Sequence, residues 1–403
     1  MNWEEIFASR ASRMKASEIR ELLKLLDQPD IISFAGGIPD PKLFPKAEFA
    51  EAFANILSGS SASAALQYSV SEGYLPLRQW LVNHMAEIGV PCEVDNILIT
   101  SGSQQALDYL GKLFLSPHDT ALVNWPTYLG ALGAFNAYEP NYDRLVANGN
   151  RSAADYVERA AGEGGRVKFA YMSVDFANPT GETLSASERR NIMALAEELD
   201  IPIFEDAAYQ ALRYDGEALP PILATEIAQK GSIEAARTLY CGSFSKTLAP
   251  GLRVGWVCAA KPVISRLVLM KQASDLHSST INQMAVYEVA EKCFDGHVEK
   301  LRSAYKAKRD KMLTELQKHM PKSVHWSKPE GGMFVWLTLP KHIDGAQLLA
   351  DAIKTKKVAF VPGRAFFADG SGANTIRLNF SLPDEQTIEE GIGRLGALLK
   401  ERI

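Results

Sequence analysis

The chain has 403 residues, and its 43 Lys+Arg against 48 Asp+Glu leave a formal net charge of −5 at pH 7. That balance excludes a strongly basic nucleic-acid binder. With 46% hydrophobic and 23% charged residues the composition is that of a globular chain of roughly two to three domains at ~100–200 residues each, and no apolar run approaches the ~20 residues needed to cross a bilayer.

The first residues mix acids and bases without the uninterrupted apolar segment of a secretory signal, so the cytoplasm is the expected location. Residues 17–27 place Ile19, Leu22, Leu23 and Leu26 at helical spacing, which predicts an amphipathic arm. FAGGIPDPKLFP then breaks all periodicity. From about residue 50, helical stretches alternate with β-rich runs at 97–100, 120–124, 167–174, 201–206, 237–243 and 253–258. This alternation predicts an α/β fold with a mainly parallel sheet covered on both faces. Ser185 and Glu188 have capping-box spacing and open a helix. After about residue 295 a long charged helix, 297–320, ends before Pro321. MFVWLTL, KVAFVP and TIRLNF follow as candidate strands, and a terminal amphipathic helix closes the chain. The organisation read from this is an arm (1–29), a large domain (48–295), and a smaller α+β domain built from 30–47 and 296–403.

Cys92, Cys241, Cys258 and Cys293 are too scattered for a disulfide framework and form no CxxC pair, so they are expected as small buried side chains in a reducing compartment. His277 and His297 have neither a carboxylate nor a second histidine at i+4, and no catalytic metal is expected.

SFSKTLAPGLRVG, behind the run that ends at residue 243, combines Ser243, Ser245, Lys246 and Arg253. Only a neutral amine attacks a carbonyl, and a cationic neighbour such as Arg253 disfavours the protonated form. Taken alone, Lys246 reads equally as a solvated surface lysine. Ser101-Gly102-Ser103-Gln104 follows ILIT and opens a helix, where free N–H groups favour a phosphate dianion; the same turn also serves as a plain cap. Asn178, in NPTG, follows another β-rich run, as a simple turn also does. Asp206 closes IPIFED, with Tyr209 three residues later; a carboxylate in an apolar setting needs a partner, or else it caps the next helix.

In this order the motifs resemble the pyridoxal-phosphate enzymes of fold type I, in the class I/II aminotransferase branch. The resemblance implies a mainly parallel seven-stranded sheet with helices on both faces plus a smaller α+β domain. It implies pyridoxal 5'-phosphate as cofactor, with Lys246 forming the Schiff base and moving the substrate Cα proton. Gly102, Ser103, Gln104, Ser243, Ser245 and Arg253 then surround the phosphate, and Asn178 and Tyr209 bind the phenolic oxygen. Asp206 pairs with the protonated pyridine nitrogen, and Tyr128 stacks on the ring. Tyr68, in LQYSVSEGY, matches a tyrosine that reaches the phosphate of the neighbouring subunit, which implies a homodimer. Arg377, in TIRLNF, matches the arginine that grips the substrate carboxylate through two parallel bonds, and Gly37 matches backbone close to the same carboxylate.

The similarity runs almost end to end and is strongest to the 2-aminoadipate and kynurenine aminotransferases, through ISFAGGIPDPKLFP, GSFSKTLAPGLRVG, KQASDLHSSTINQM and AFVPGRAFFADG among others. In that subgroup the arginine matching Arg20 meets acidic substrate side chains; Arg20 equally reads as a solvated helix residue paired with Glu21 or Asp27. MSVDFANPTG departs from the subgroup, which has a Pro-x-Phe-Gln run there, and Asp175 is expected near the site entrance. The implied function is ping-pong amino transfer between amino acids and 2-oxo acids, with 2-oxoglutarate as acceptor and 2-aminoadipate, glutamate, aromatic or aliphatic donors. The rivals are a β-lyase or decarboxylase on the same fold and a non-catalytic regulator. The regulator requires a basic DNA-binding extension of ~70 residues that the chain lacks. No GxGxxG opens a βαβ unit, which disfavours a nicotinamide dehydrogenase.

Overall fold

Runs such as ILIT, buried at every position, read as strands of a sheet covered on both faces. A computed structural model describes residues 1–14 and 30–403; the helix expected over 17–27, with Arg20, lies outside the described residues. The short strand β1 (Ile32–Ser33) precedes seven strands of one sheet: β2 (Ile97–Thr100), β3 (Thr120–Asn124), β4 (Asn141–Leu145), β5 (Val167–Met172), β6 (Ile203–Asp206), β7 (Thr238–Ser243) and β8 (Gly255–Cys258). In space their order is β2-β8-β7-β6-β5-β3-β4, and only β8 runs antiparallel to its neighbours. The fold is therefore the mainly parallel α/β architecture expected. β4 is the one strand of this sheet that hydrophobic runs do not disclose. It lies at the edge, where its sequence NYDRL turns only Asp143 and Leu145 fully inward.

The period of two along the strands sorts side chains onto opposite faces. Ile97 and Ile99 pack with Leu77, Leu81 and Met85 of the helix Leu75–Glu87. Leu98, between them, packs with Leu107 and Leu110 of the helix Ser103–Phe114. The helix Ala186–Glu198 starts at the capping box read from the sequence, with the Ser185 and Glu188 side chains each accepting from the other's backbone N–H.

The remaining strands are β9 (His325–Trp326), β10 (Phe334–Thr338), β11 (Val358–Ala359), β12 (Val361–Pro362) and β13 (Thr375–Asn379). KVAFVP, read as one strand, is two. β11 pairs with β1 and β12 pairs with β13, so the chain leaves one sheet for another at Phe360. The four-stranded sheet, ordered β12-β13-β10-β9, covers a second core that includes Phe34, Leu301, Tyr305, Met312 and Leu395.

The long helix also differs from expectation. It runs unbroken from Thr280 to His319, not from residue 297. Its first half gives Met284, Val289 and Val298 to the main core, and its second half gives Leu301, Tyr305 and Leu316 to the second. The terminal helix Glu385–Arg402 packs closely through glycines: a Cβ on Gly396 would lie 2.7 Å from the His319 carbonyl oxygen at the end of the long helix, and one on Gly391 would lie 2.5 Å from the Phe34 ring beside β1.

One ionisable side chain, His84, packs among the aromatic rings of the main core. His84 stacks on Trp80 at 5.1 Å between centroids and meets Phe294 edge-on at 5.3 Å. Burial pulls its pKa from 6.5 to about 4, against a weak opposing pull from Asp295. A histidine with a depressed folded-state pKa contributes stability that is present above its unfolded pKa of 6.5 and lost as the pH falls toward about 4. The difference amounts to something on the order of 3 kcal/mol. Urea unfolding at pH 7 and pH 4.5 tests this: the His84→Phe variant is expected to lose less stability between the two than the native chain, and equal losses would refute it.

Candidate active site

The carboxyl ends of parallel strands are the edge at which an open α/β sheet offers a crevice. Here the ends of β2, β6 and β7 converge, with the chain leaving β5, on a cavity of about 260 Å³. Ser103, Gln104, Ser243, Ser245 and Arg253 line it together. Tyr128, Asn178, Asp206, Tyr209 and Lys246 complete the wall, joined by Ser173, Ala208 and Pro250, which the sequence reading did not single out.

Lys246 is delivered by a turn anchored on both sides. Phe244 and Leu248 are buried in the main core, the Leu248 N–H reaches the Phe244 carbonyl at 2.9 Å, and the Ser245 N–H reaches Ser243 Oγ at 3.1 Å. The side chain keeps some surface open to the cavity, while its amine sits among protein atoms and donates to the Gly37 carbonyl at 2.8 Å. Burial first, then Arg377 and Arg253, lower its pKa from 10.5 to about 8, with Asp206 opposing. Desolvation therefore contributes more than the cationic neighbours to which sequence reasoning assigned the effect.

One end of the cavity is built for an anion. Gly102 precedes the helix Ser103–Phe114 with φ +78°, and no side chain caps that helix. A Cβ on Gly102 would stand 2.4 Å from an Arg253 Nη2 nitrogen, so both the backbone angle and the close approach require glycine. The first helical N–H groups, the Ser243 and Ser245 hydroxyls and the Arg253 guanidinium thus share one end.

The other end holds a carboxylate. Asp206 is buried, accepts from the Tyr171 hydroxyl at 2.8 Å and makes a longer bond to the Ala208 N–H at 3.4 Å. Burial raises its pKa, and the Tyr171 bond, the Ala208 N–H and the Lys246 charge counter this in that order. A cation placed against Asp206 would favour its charged form and offset the effect of burial.

Arg377, on β13, is buried between aromatic rings, its guanidinium carbon 4.2 Å from the Phe334 centroid and 5.0 Å from that of Phe366. Its Nη1 donates to Asn178 Oδ1 at 2.7 Å and its Nη2 to the Ala35 carbonyl at 2.9 Å, while Nε is buried without a partner. Burial lowers its pKa to about 10. An unpartnered buried N–H calls for an acceptor. Tyr171, Ala35, Phe334 and Phe366 escaped the sequence reading. Only Tyr171 carried a usable signal, because a phenol in an apolar strand must find a hydrogen-bond partner.

Two residues stand elsewhere. Asp175, expected at the entrance, is buried and accepts from Arg189 Nη2 at 2.8 Å and Arg213 Nη2 at 3.1 Å. A carboxylate with that little exposure needs cationic partners, and the two guanidiniums bind it inside the fold. Tyr68 is 79% exposed, meets His277 edge-on at 6.0 Å and does not line the cavity. Among the described residues no group of three or more His, Cys, Asp and Glu is arranged to hold a metal ion, and no helix is long and apolar enough to cross a membrane.

An anion cradle, a buried carboxylate seeking a cation, and a desolvated amine within one cavity fit a molecule with a phosphate, a protonated ring nitrogen and a carbonyl carbon, as pyridoxal phosphate has. The model of the family "Aminotransferase class I and II" matches residues 30–395. The aromatic-amino-acid aminotransferase 1 of Thermococcus litoralis is 42% identical over 100% of this chain and 96% of its own. The alpha-aminoadipate aminotransferase of Thermus thermophilus, solved with N-(5'-phosphopyridoxyl)-L-leucine, superposes with a TM-score of 0.89 at 39% identity, covering 100% of this chain and 99% of that one. The kynurenine aminotransferase of Pyrococcus horikoshii, solved with PMP, gives a TM-score of 0.91 at 41% identity, covering 100% of this chain and 98% of that one. The chain belongs to the class I and II aminotransferases and is a pyridoxal-phosphate-dependent enzyme of that family.

Proposed function

We propose that this aminotransferase moves the amino group of 2-aminoadipate, glutamate, aromatic or aliphatic L-amino acids to a 2-oxo acid such as 2-oxoglutarate by a ping-pong cycle. The observation that carries the reading is the amine of Lys246, desolvated to a pKa of about 8 within reach of both charged ends of one cavity. Relatives named for aromatic, aminoadipate and kynurenine substrates support a broad donor range.

Bound pyridoxal phosphate supplies a carbonyl carbon that takes up the amino group and a ring that withdraws electrons. Gly102, Ser103, Gln104, Ser243, Ser245 and Arg253 would hold its phosphate, Asp206 would pair with its ring nitrogen, Asn178 and Tyr209 would bind its phenolic oxygen, and Tyr128 would stack on its ring. Lys246, with a pKa near neutrality, is a base able to take a proton from the substrate Cα and return it. Arg377 offers its unpartnered Nε–H and the second hydrogens of its Nη atoms to the substrate carboxylate. Tyr171 keeps Asp206 oriented through its 2.8 Å bond. The Gly37 carbonyl, which holds the Lys246 amine at 2.8 Å, lies close to where that carboxylate would sit.

The working unit in this reading is a homodimer in which Tyr68 reaches the neighbouring phosphate. Leu66 at 72%, Tyr68 at 79% and Val70 at 58% exposure form an apolar stretch suited to burial against a second copy. Its four free cysteines fit the reducing cytoplasm.

Incubating a panel of amino donors with 2-oxoglutarate tests the assignment: glutamate is expected from aminoadipate and aromatic donors, and no glutamate from any of them would reject it. Lys246→Ala is expected to lose turnover by about 10³-fold or more with an unchanged circular dichroism spectrum; normal rates would remove Lys246 from its role. Arg377→Lys, which replaces a planar fork by a point charge, is expected to raise the donor KM about tenfold or more in steady-state kinetics. An unchanged KM would count against carboxylate binding there.

A further inference from the structure

The turn at the anion end of the cavity is bound from behind by a charged cluster that does not touch the cavity. Lys271 is completely buried, at 0% exposure. Its Nζ donates to both Asp275 oxygens at 3.0 Å and to Gln105 Oε1 at 2.8 Å. Asp275 also accepts from Gln105 Nε2 at 2.7 Å, from the Tyr109 hydroxyl at 3.1 Å and from Ser101 Oγ at 3.2 Å. Gln105 Oε1 in turn accepts the Ser101 backbone N–H at 2.9 Å. Two groups of Ser101 therefore lead to this ammonium and carboxylate, while its carbonyl faces Arg253 Nη2 at 3.4 Å.

A buried ammonium–carboxylate pair is a weak source of stability, because desolvation consumes most of the attraction. Its effect here is geometric. Ser101 stands directly before Gly102, whose left-handed φ of +78° aims the first N–H groups of the helix, and that helix has no side-chain cap of its own. The turn is also held by the bond from the Thr100 hydroxyl to the Gly102 carbonyl at 3.0 Å, by the Gly102 N–H to the Thr100 carbonyl at 2.8 Å and by Ser278 Oγ, 3.0 Å from Ser101 Oγ; the cluster adds the one bond to the Ser101 backbone N–H, and Arg253 one to its carbonyl.

We propose that Lys271, Asp275 and Gln105 are positioning residues for the cofactor phosphate: they fix Ser101 so that the N–H groups of Ser103 and Gln104 converge on the dianion. The inference rests on the placement of the phosphate at this turn. It implies that the cluster strengthens the hold on the phosphate group and leaves the rest of the cofactor site as it is, although no member of the cluster contacts phosphate.

Holoenzymes of the native chain, Lys271→Met and Gln105→Met are freed of cofactor by dialysis. Dissociation constants for pyridoxal phosphate and for phosphate-free pyridoxal are then read from cofactor absorbance. Each variant is expected to bind pyridoxal phosphate about tenfold more weakly while its pyridoxal affinity changes by less than about twofold. Equal losses for both aldehydes, or a loss for neither, would overturn the proposal. A native chain that does not discriminate between the two aldehydes would instead overturn the placement of the phosphate. Gln105 is only half-buried, so Gln105→Met carries the test alone if Lys271→Met does not fold.

Discussion

Keeping charge out of water is the constraint on which this molecule depends. Asp206 and Arg377 are buried, and the Lys246 amine sits among protein atoms. Each such group would cost several kcal/mol if left uncompensated. The compensation is mutual: Asp206 opposes the fall in the Lys246 pKa, and Lys246 opposes the rise in that of Asp206. The same low dielectric that makes these groups expensive sharpens their action, since a desolvated amine of pKa about 8 is partly neutral at physiological pH and a surface lysine is not.

Assembling such a site takes segments far apart in the chain. Arg377 comes from β13 of the second core, yet its two bonds go to Ala35, just after β1, and to Asn178, beyond β5 of the main sheet. Phe334 and Phe366 hold its plane from two further segments. The guanidinium thereby ties the second core to the cavity through Asn178, which lines it, and its orientation depends on how the two cores sit against each other. The cluster of Asp175 with Arg189 and Arg213 stands outside the cavity lining, and Arg213 carries the connection on to Glu330 at 3.0 Å.

Much of this was legible in the residues, for reasons that also explain the misses. Strands such as ILIT and TALVN stand out because both their faces are covered and apolar, whereas β4 hides because it buries only Asp143 and Leu145 and leaves Arg144 exposed between them. The N-terminal half of the long helix, TINQMAVYEVAEKCF, lacks the charged face that marked residues 297–320, because it packs against the main core on several sides. KVAFVP reads as one strand since pattern does not reveal a change of sheet. In the site, Lys246 and Arg253 were visible because one motif places them seven residues apart, and Asp206 because it closes a strand-like apolar run of its own. The Phe334 and Phe366 clamp and the Ala35 carbonyl depend on tertiary approach alone. Asp175 was misplaced for a related reason: nothing near it in sequence announces Arg189 and Arg213, 14 and 38 residues away.

The unbroken helix Thr280–His319 has a consequence for how the chain comes apart. Its 40 residues form one hydrogen-bonded ladder, roughly 60 Å long at 1.5 Å per residue, with one end rooted in each core. Loss of the second core strips the apolar partners from Leu301, Tyr305 and Leu316. Fraying that starts there runs along the ladder toward Val298 and Val289, which wall the main core. The helix therefore couples the two cores, and a cut where the contacts change hands, between Val298 and Leu301, would leave apolar surface open on both halves of the polypeptide.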